Sequence, residues 1–258
     1  MRRGLWDREM VALLLLLAMM PMTLAWLWFG GVEALGRLIL TLLVSGLWHM
    51  IFMLARAQPP SFAGALTGVA VAMLAPQDLS LLQLLLGISF GSVMGELVFG
   101  GWGRNVLNPA TVTLAFLGFS FSAAPWPDLV PPVAWAALPA LAMGVIFGVM
   151  SARLILGALA VLGGALIADA SLSTIFPAAG IVLALLVSDP VASASTRLGG
   201  WLNGALFGAL VVLFATGWQG AAPMHVAVSA ALLASLAAPL LDETAIALWT
   251  ARRRKRHG

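Results

Sequence analysis

The residues best equipped for chemistry in this chain stand where polar groups are costly. Between two apolar runs of membrane length lies Gly95-Glu96-Leu97-Val98-Phe99-Gly100-Gly101-Trp102-Gly103-Arg104-Asn105-Val106-Leu107-Asn108-Pro109-Ala110. Glycines, two asparagines, an arginine and a carboxylate are packed into this stretch. At membrane depth, irregular backbone is tolerated only where protein buries it or it lines a cavity. An ionisable group there is a functional candidate. Glu96 is such a group: an ion or proton ligand, a partner for Arg104, or a carboxylate that fixes packing. Asn108 before Pro109 has the form of an N-cap followed by a first-turn proline. The free N–H groups of such a helix start could hold a phosphate or carbonyl oxygen.

A second polar stretch runs Ser188-Asp189-Pro190-Val191-Ala192-Ser193-Ala194-Ser195-Thr196-Arg197-Leu198-Gly199-Gly200. Four hydroxyls, a carboxylate and an arginine gather at one turn between two spans. If both stretches face the same side of the membrane, they could meet and frame one site.

The elements that must position these residues are spanning helices. Of 258 residues, 62% are hydrophobic and 9% charged, against roughly a quarter charged in soluble domains. The fold class is therefore an all-α polytopic membrane protein, and a soluble enzyme is excluded. With about 20 residues needed per crossing, ten candidate spans lie near 10–29, 36–56, 62–76, 79–99, 107–123, 132–151, 153–168, 172–188, 199–217 and 222–241. The pairs 62–76/79–99 and 153–168/172–188 have very short connections. Each is a tight hairpin or a re-entrant element, so eight spans is the alternative.

With the N-terminus in the cytoplasm and ten crossings, only Arg37 of the 13 Lys and Arg residues falls outside. Glu33, Asp78, Asp128 and Asp169 collect on the outer side. This obeys the positive-inside rule and puts both termini in the cytoplasm. The chain reads as one membrane domain over 1–258, with residues 1–9 a cytoplasmic N-terminus and 250–258 a basic cytoplasmic tail. The first apolar run reads as a retained span, not a signal peptide.

With no cysteine, iron–sulfur clusters have no ligands in this chain. The spacing of His49, His225 and His257 matches no haem axial-ligand pattern. No P-loop and no GxGxxG within a βαβ unit is present, so the chain does not bind NADH on its own. The basic tail suits anionic lipid, and no nucleic acid is expected. Trp6, Trp126, Trp201 and Trp218 fall near predicted interfaces. The GxxxG spacings Gly64/Gly68, Gly144/Gly148 and Gly204/Gly208 predict close helix packing.

Phe99-Gly-Gly-Trp-Gly-Arg-Asn-Val-Leu-Asn-Pro-Ala110, Ser188-Asp-Pro-Val191 with Ser195-Thr196, Gly200-Trp-Leu-Asn-Gly-Ala-Leu-Phe-Gly208 and Ala238-Pro-Leu-Leu-Asp242 occur in the order seen in the RnfD/NqrB family, which this chain resembles. Leu66-Thr-Gly-Val-Ala-Val-Ala-Met-Leu-Ala-Pro76 is similar to that family's third span. The resemblance covers about 60–242. It implies a ten-helix membrane subunit of a multisubunit redox complex in the bacterial cytoplasmic membrane, with other membrane and soluble redox subunits as partners. It also implies a flavin (FMN or riboflavin) and, in some complexes, coupling to sodium or proton movement. The implied cofactor-binding residues are Gly101, Gly103, Asn105, Asn108, Asp189, Ser193, Ser195 and Thr196, with Glu96 as the ion or coupling residue.

The chain departs from the family pattern in three places. Covalent FMN in the family hangs from a threonine in a motif like Asp-Gly-x-Ser-Gly-Ala-Thr. Asp169-Ala-Ser-Leu-Ser-Thr174 lacks the glycines and is one residue short, so Thr174 matches the attachment site incompletely. The interval between the Asn-Pro and Asp-Pro motifs is short for the family. Glu96 stands near where the family typically has a lysine. The competing functions are a solute transporter or channel with its site at broken helices, and a structural scaffold without its own cofactor.

Overall fold

Each apolar run folds as helix in the computed structural model, which describes residues 7–56 and 61–257. No strand occurs among the described residues. In chain order the helices are α1 (Arg8–Arg56), α2 (Ala63–Leu74), α3 (Leu81–Gly95), α4 (Pro109–Ser120), α5 (Pro131–Trp135), α6 (Ala137–Ile146), α7 (Ala152–Ala168), α8 (Phe176–Val182), α9 (Arg197–Gly217) and α10 (Pro223–His257). A 3₁₀ turn, Leu97–Phe99, follows α3; another, Ala170–Ile175, leads into α8; and α8 runs on as a π-turn, Leu183–Val187. Five helical stretches are long and apolar enough to cross a membrane, and four shorter apolar ones lie between them. This is the architecture of an integral, polytopic membrane protein. Arg2, Arg3 and Trp6 lie outside the described residues.

As one straight rod, the 49 residues of α1 would reach about 73 Å, over twice a hydrocarbon core of about 30 Å. Gly31 breaks it, with φ 58° and ψ −142°. The chain turns back there, so Arg8 and Arg56, at opposite ends of α1, line the same cavity. The predicted spans 10–29 and 36–56 are the two arms. At its other end the chain corrects the sequence reading: α10 does not stop near 241 but continues as helix to His257.

The centre of the bundle is made of half-length elements. α2 and α4 have 12 residues each, about 18 Å, too short to cross upright. Every residue from Val69 to Ala75 is buried, as is the whole π-turn Leu183–Val187. A helix buried all round needs no polar face, which is why α2 is apolar along its whole length. Long helices wrap this centre: α1 packs on α2, α3 on α4, α7 on α9 and α9 on α10.

Ending a helix inside the protein leaves its last carbonyls without partners. Arg37 resolves this for α2, its guanidinium donating to the carbonyls of Ala75 and Pro76 at 2.5 and 2.6 Å. A cation at a helix C-terminus is favoured by the dipole. This accounts for the one arginine that departs from the charge rule.

Two of the three GxxxG pairs pack helices as expected. A Cβ on Gly204 would strike the Leu154 carbonyl, and one on Gly208 would meet Ala158 at 3.0 Å. Gly64 and Gly68 seat α2 against His49 and Leu42 of α1. Gly144/Gly148 is a correction. Gly144 lies under the Met150 side chain, and Gly148 takes φ 73° in the turn after α6. That pair serves a chain reversal rather than a helix seam.

Candidate functional site

The two polar stretches meet. Asn108 caps α4, its Oδ1 accepting from the N–H groups of Ala110 and Thr111 at 2.9 and 3.2 Å. That fixes the amide orientation and leaves Nδ2 to donate, which it does to Asp189 Oδ2 at 2.9 Å. Asp189 Oδ1 accepts from the Val191 N–H at 3.0 Å, forming its own turn. Asn108 and Asp189 are 8% and 6% exposed. Asp189 lies in the connection just past the π-turn, and burial pushes its carboxyl up to about 6 against the pull of the Val191 N–H and the Asn108 amide. One bond thus joins the start of a half-length helix to the end of the α8 segment, across 81 positions of sequence.

Asn105 organises the loop before α4. Its Oδ1 accepts from the Gly103 N–H at 3.1 Å, and its Nδ2 donates to the Leu107 carbonyl at 2.8 Å. Gly101 and Gly103 take φ 90° and 93°, a backbone that side chains rarely adopt. The space beside Asn108 and Asp189, bounded by Leu15, Thr67, Trp102 and Met150, measures about 10 Å³. That holds at most one water, so these residues join elements and leave no room between them for a flavin ring.

Ser195 and Thr196 belong to a different cluster. Asp242 of α10 accepts from the Ser195 N–H (2.8 Å), Ser195 Oγ (3.0 Å), the Thr196 N–H (2.9 Å) and Thr196 Oγ1 (2.6 Å). Thr196 Oγ1 also caps α9 through the Gly199 N–H at 2.9 Å. This latch holds the start of α9 to α10. Asp242→Ala is expected to cost about 2 kcal/mol, since bonds to a charged group are lost at a partly solvated site. Unfolding in detergent reads the loss, and hydrogen exchange at Ser195 and Thr196 should accelerate. Ser193 sits in the same connection without bonding into either cluster.

Glu96 is 0% exposed, and its partner is not Arg104. His49 Nε2 lies 3.0 Å from Glu96 Oε1, and His49 Nδ1 lies 2.8 Å from the Ser45 carbonyl. Sequence reasoning missed this histidine, which stands singly in an apolar helix. The usable signal was Glu96 itself, because a buried carboxylate in a membrane protein needs a partner. Arg56 donates to the Leu97 carbonyl at 2.7 Å, and Arg8 reaches the Trp102 carbonyl at 3.4 Å. The irregular strip after α3 is thereby held by arginines from both arms of α1.

Thr174 is far from all of these, at the opposite end of the 170–187 segment from Asp189. It lines a cavity of about 540 Å³ with Trp126, Asp128, Leu129, Ala178 and Met224. That volume suits a drug-sized ligand. Among the described residues, Asp128 is the only charged one lining it. Nearby Asp169 is held below the ordinary carboxylate range by the Ser171 hydroxyl and N–H. The cavity therefore fits an uncharged ring and offers nothing to a phosphate, and the Thr174 hydroxyl is turned toward the Ser171 carbonyl at 3.4 Å. A phosphoester-linked FMN fits this end of the molecule poorly. Among the described residues, no group of three His, Cys, Asp or Glu side chains could hold a metal.

Residues 6–133 match the model of the NQR2, RnfD, RnfE family. The chain is 28% identical over 287 residues to a membrane component of Pseudomonas aeruginosa, the NqrB-type subunit of its Na(+)-translocating NADH-quinone reductase; the match covers 89% of this chain and 71% of the relative. To the protein of the same name in Stutzerimonas stutzeri it is 27% identical over 264 residues, 80% of this chain and 65% of the other. A shorter match to the Yersinia pestis protein of that name reaches 42% over 88 residues, 34% of this chain and 21% of the other.

Proposed function

Because the chain belongs to the NQR2, RnfD, RnfE family, we propose that it is a membrane subunit of an RnfD/NqrB-like electron-transfer complex in the bacterial cytoplasmic membrane. It relays or scaffolds electron transfer between a cytoplasmic donor and an extracytoplasmic or quinone acceptor, in company with other membrane and soluble redox subunits. The observation that carries this reading is the Asn108–Asp189 bond. The two stretches that most resemble the family are the two that the fold brings together. Ten spans with both ends in the cytoplasm agree with the charge distribution and with the break at Gly31.

Gly101, Gly103, Asn105, Asn108 and Asp189 form the framework of the site on the side that carries most arginines, with Ser193, Ser195 and Thr196 at its edge. They shape backbone for a neighbouring subunit or cofactor. A flavin carried by this chain alone would sit in the 540 Å³ cavity, as a non-covalent and uncharged ring such as riboflavin. The transporter reading draws on half-length helices at the centre. The 10 Å³ space beside Asn108 and Asp189 favours the electron-transfer reading, since it admits no solute.

Partnership is tested by tagging the chain in its native membrane and purifying it in mild detergent. The expected result is co-purification with flavin- or iron–sulfur-bearing subunits. A chain that purifies alone and moves a solute in vesicles would overturn the proposal.

A further inference from the structure

The hydrogen bonds at His49 constrain where its protons are. The Ser45 carbonyl only accepts, so Nδ1 carries a hydrogen. Nε2, 3.0 Å from Glu96 Oε1, must then share a proton with the carboxyl. Either His49 is imidazolium facing a carboxylate, or a protonated Glu96 donates to a neutral ring. Without that proton, the Nε2 lone pair would face a buried carboxylate.

The second carboxyl oxygen, Glu96 Oε2, is buried and has no hydrogen-bond partner among the described residues. It borders a cavity of about 30 Å³ lined by Arg8, His49, Arg56, Ser61 and Trp102, room for one or two waters. We propose that His49 and Glu96 form a binding site for a single exchangeable proton, reached from the arginine-lined side through this cavity. In balance, a hydronium gives its proton to the ionised Glu96 beside neutral His49, leaving water and the pair with one shared proton.

The surroundings select the ligand. Arg8 and Arg56 face the cavity, which opposes a metal cation. Hard cations also need several oxygen ligands, whereas the Leu97 carbonyl is already engaged by Arg56 and the Glu9 carboxylate by Arg8 and the Phe62 N–H. Asp189 and Glu9 are the other charged groups near enough to bear on the pair. A site for sodium would be built of oxygens, and this one is built of a histidine, a carboxyl and two guanidinium groups. Coupling this proton to electron flow rests on the functional reading above; the site itself does not.

The test uses the full chain in detergent, with ring-¹⁵N-labelled histidine. There are three histidines, and His49 is identified by elimination with His257→Gln and His225→Gln, leaving the site intact. Near neutral pH, one of two signatures is expected. Either both His49 nitrogens are protonated, or Nδ1 alone is protonated and an infrared carboxylic-acid band disappears in Glu96→Gln. Exchanging choline chloride for sodium chloride should leave the His49 signals in place. A neutral His49 beside an ionised Glu96, or a saturable shift of those signals by sodium, would overturn the proposal. Neither measurement needs a redox partner, so its failure is distinct from failure of the electron-transfer reading.

Discussion

Asn108→Ala should destabilise the folded chain by about 3 kcal/mol in a detergent unfolding titration. About 1 kcal/mol comes from the lost N-cap of α4. The rest, roughly 2 kcal/mol, comes from the Asp189 oxygen left buried without its donor. The side chain performs both tasks at once, through Oδ1 to Ala110 and Thr111 and through Nδ2 to Asp189. Asn108→Ser separates them, keeping a capping oxygen and losing only the link, for about 2 kcal/mol. Asp189→Asn keeps an acceptor for the amide and should cost less than about 1 kcal/mol. An Asn108→Ala protein within about 0.5 kcal/mol of the parent, below the usual cost of a lost cap and link, would mean that the junction does not hold the two elements together.

Gly204→Leu should cost about 3 kcal/mol, the upper end for overpacking, because backbone has to move. A Cβ at Gly204 would strike the Leu154 carbonyl and come within 2.9 Å of the Ala158 N. From the other side, Gly157 of α7 faces the Trp201 carbonyl at 2.6 Å. The two helices touch backbone to backbone, and no rotamer relieves the clash. Gly164, on α7 with open space around its Cβ position, is the control. Gly164→Ala should be neutral or stabilising by up to about 1 kcal/mol through helix propensity. Equal effects at the two positions, read by the same titration, would remove close packing as the explanation.

Much of this fold was legible because apolar runs of membrane length have few alternatives. Helix α4 was readable from Asn108-Pro109, since cap chemistry is local. The meeting of Asn108 with Asp189 was accessible as a possibility, because the charge rule put both turns on one side. Contacts between distant positions were harder. His49 and Glu96 are separated by 47 positions, and hydropathy does not say which face of a helix looks at which neighbour. The same applies to Asp242 with Ser195 and Thr196, whose residues were visible but whose bonds were not. Gly144/Gly148 shows the opposite error, in which a spacing that suits helix packing serves a turn, because spacing alone does not report φ. The framework and cavity residues separated for a further reason: Thr174 and Asp189 bound the same helical segment at opposite ends, so one site cannot contain both.

The measurement closest to the central claim is the visible spectrum of the tagged chain purified with its partners from native membranes, before and after reduction and again after denaturation. The account predicts a flavin band that bleaches on reduction and a flavin that leaves this polypeptide on denaturation, as expected for a non-covalent ring or one held by a partner subunit. Flavin that remains on this chain after denaturation would contradict the poor fit at Thr174. A preparation with no reducible centre on any subunit would contradict electron transfer itself.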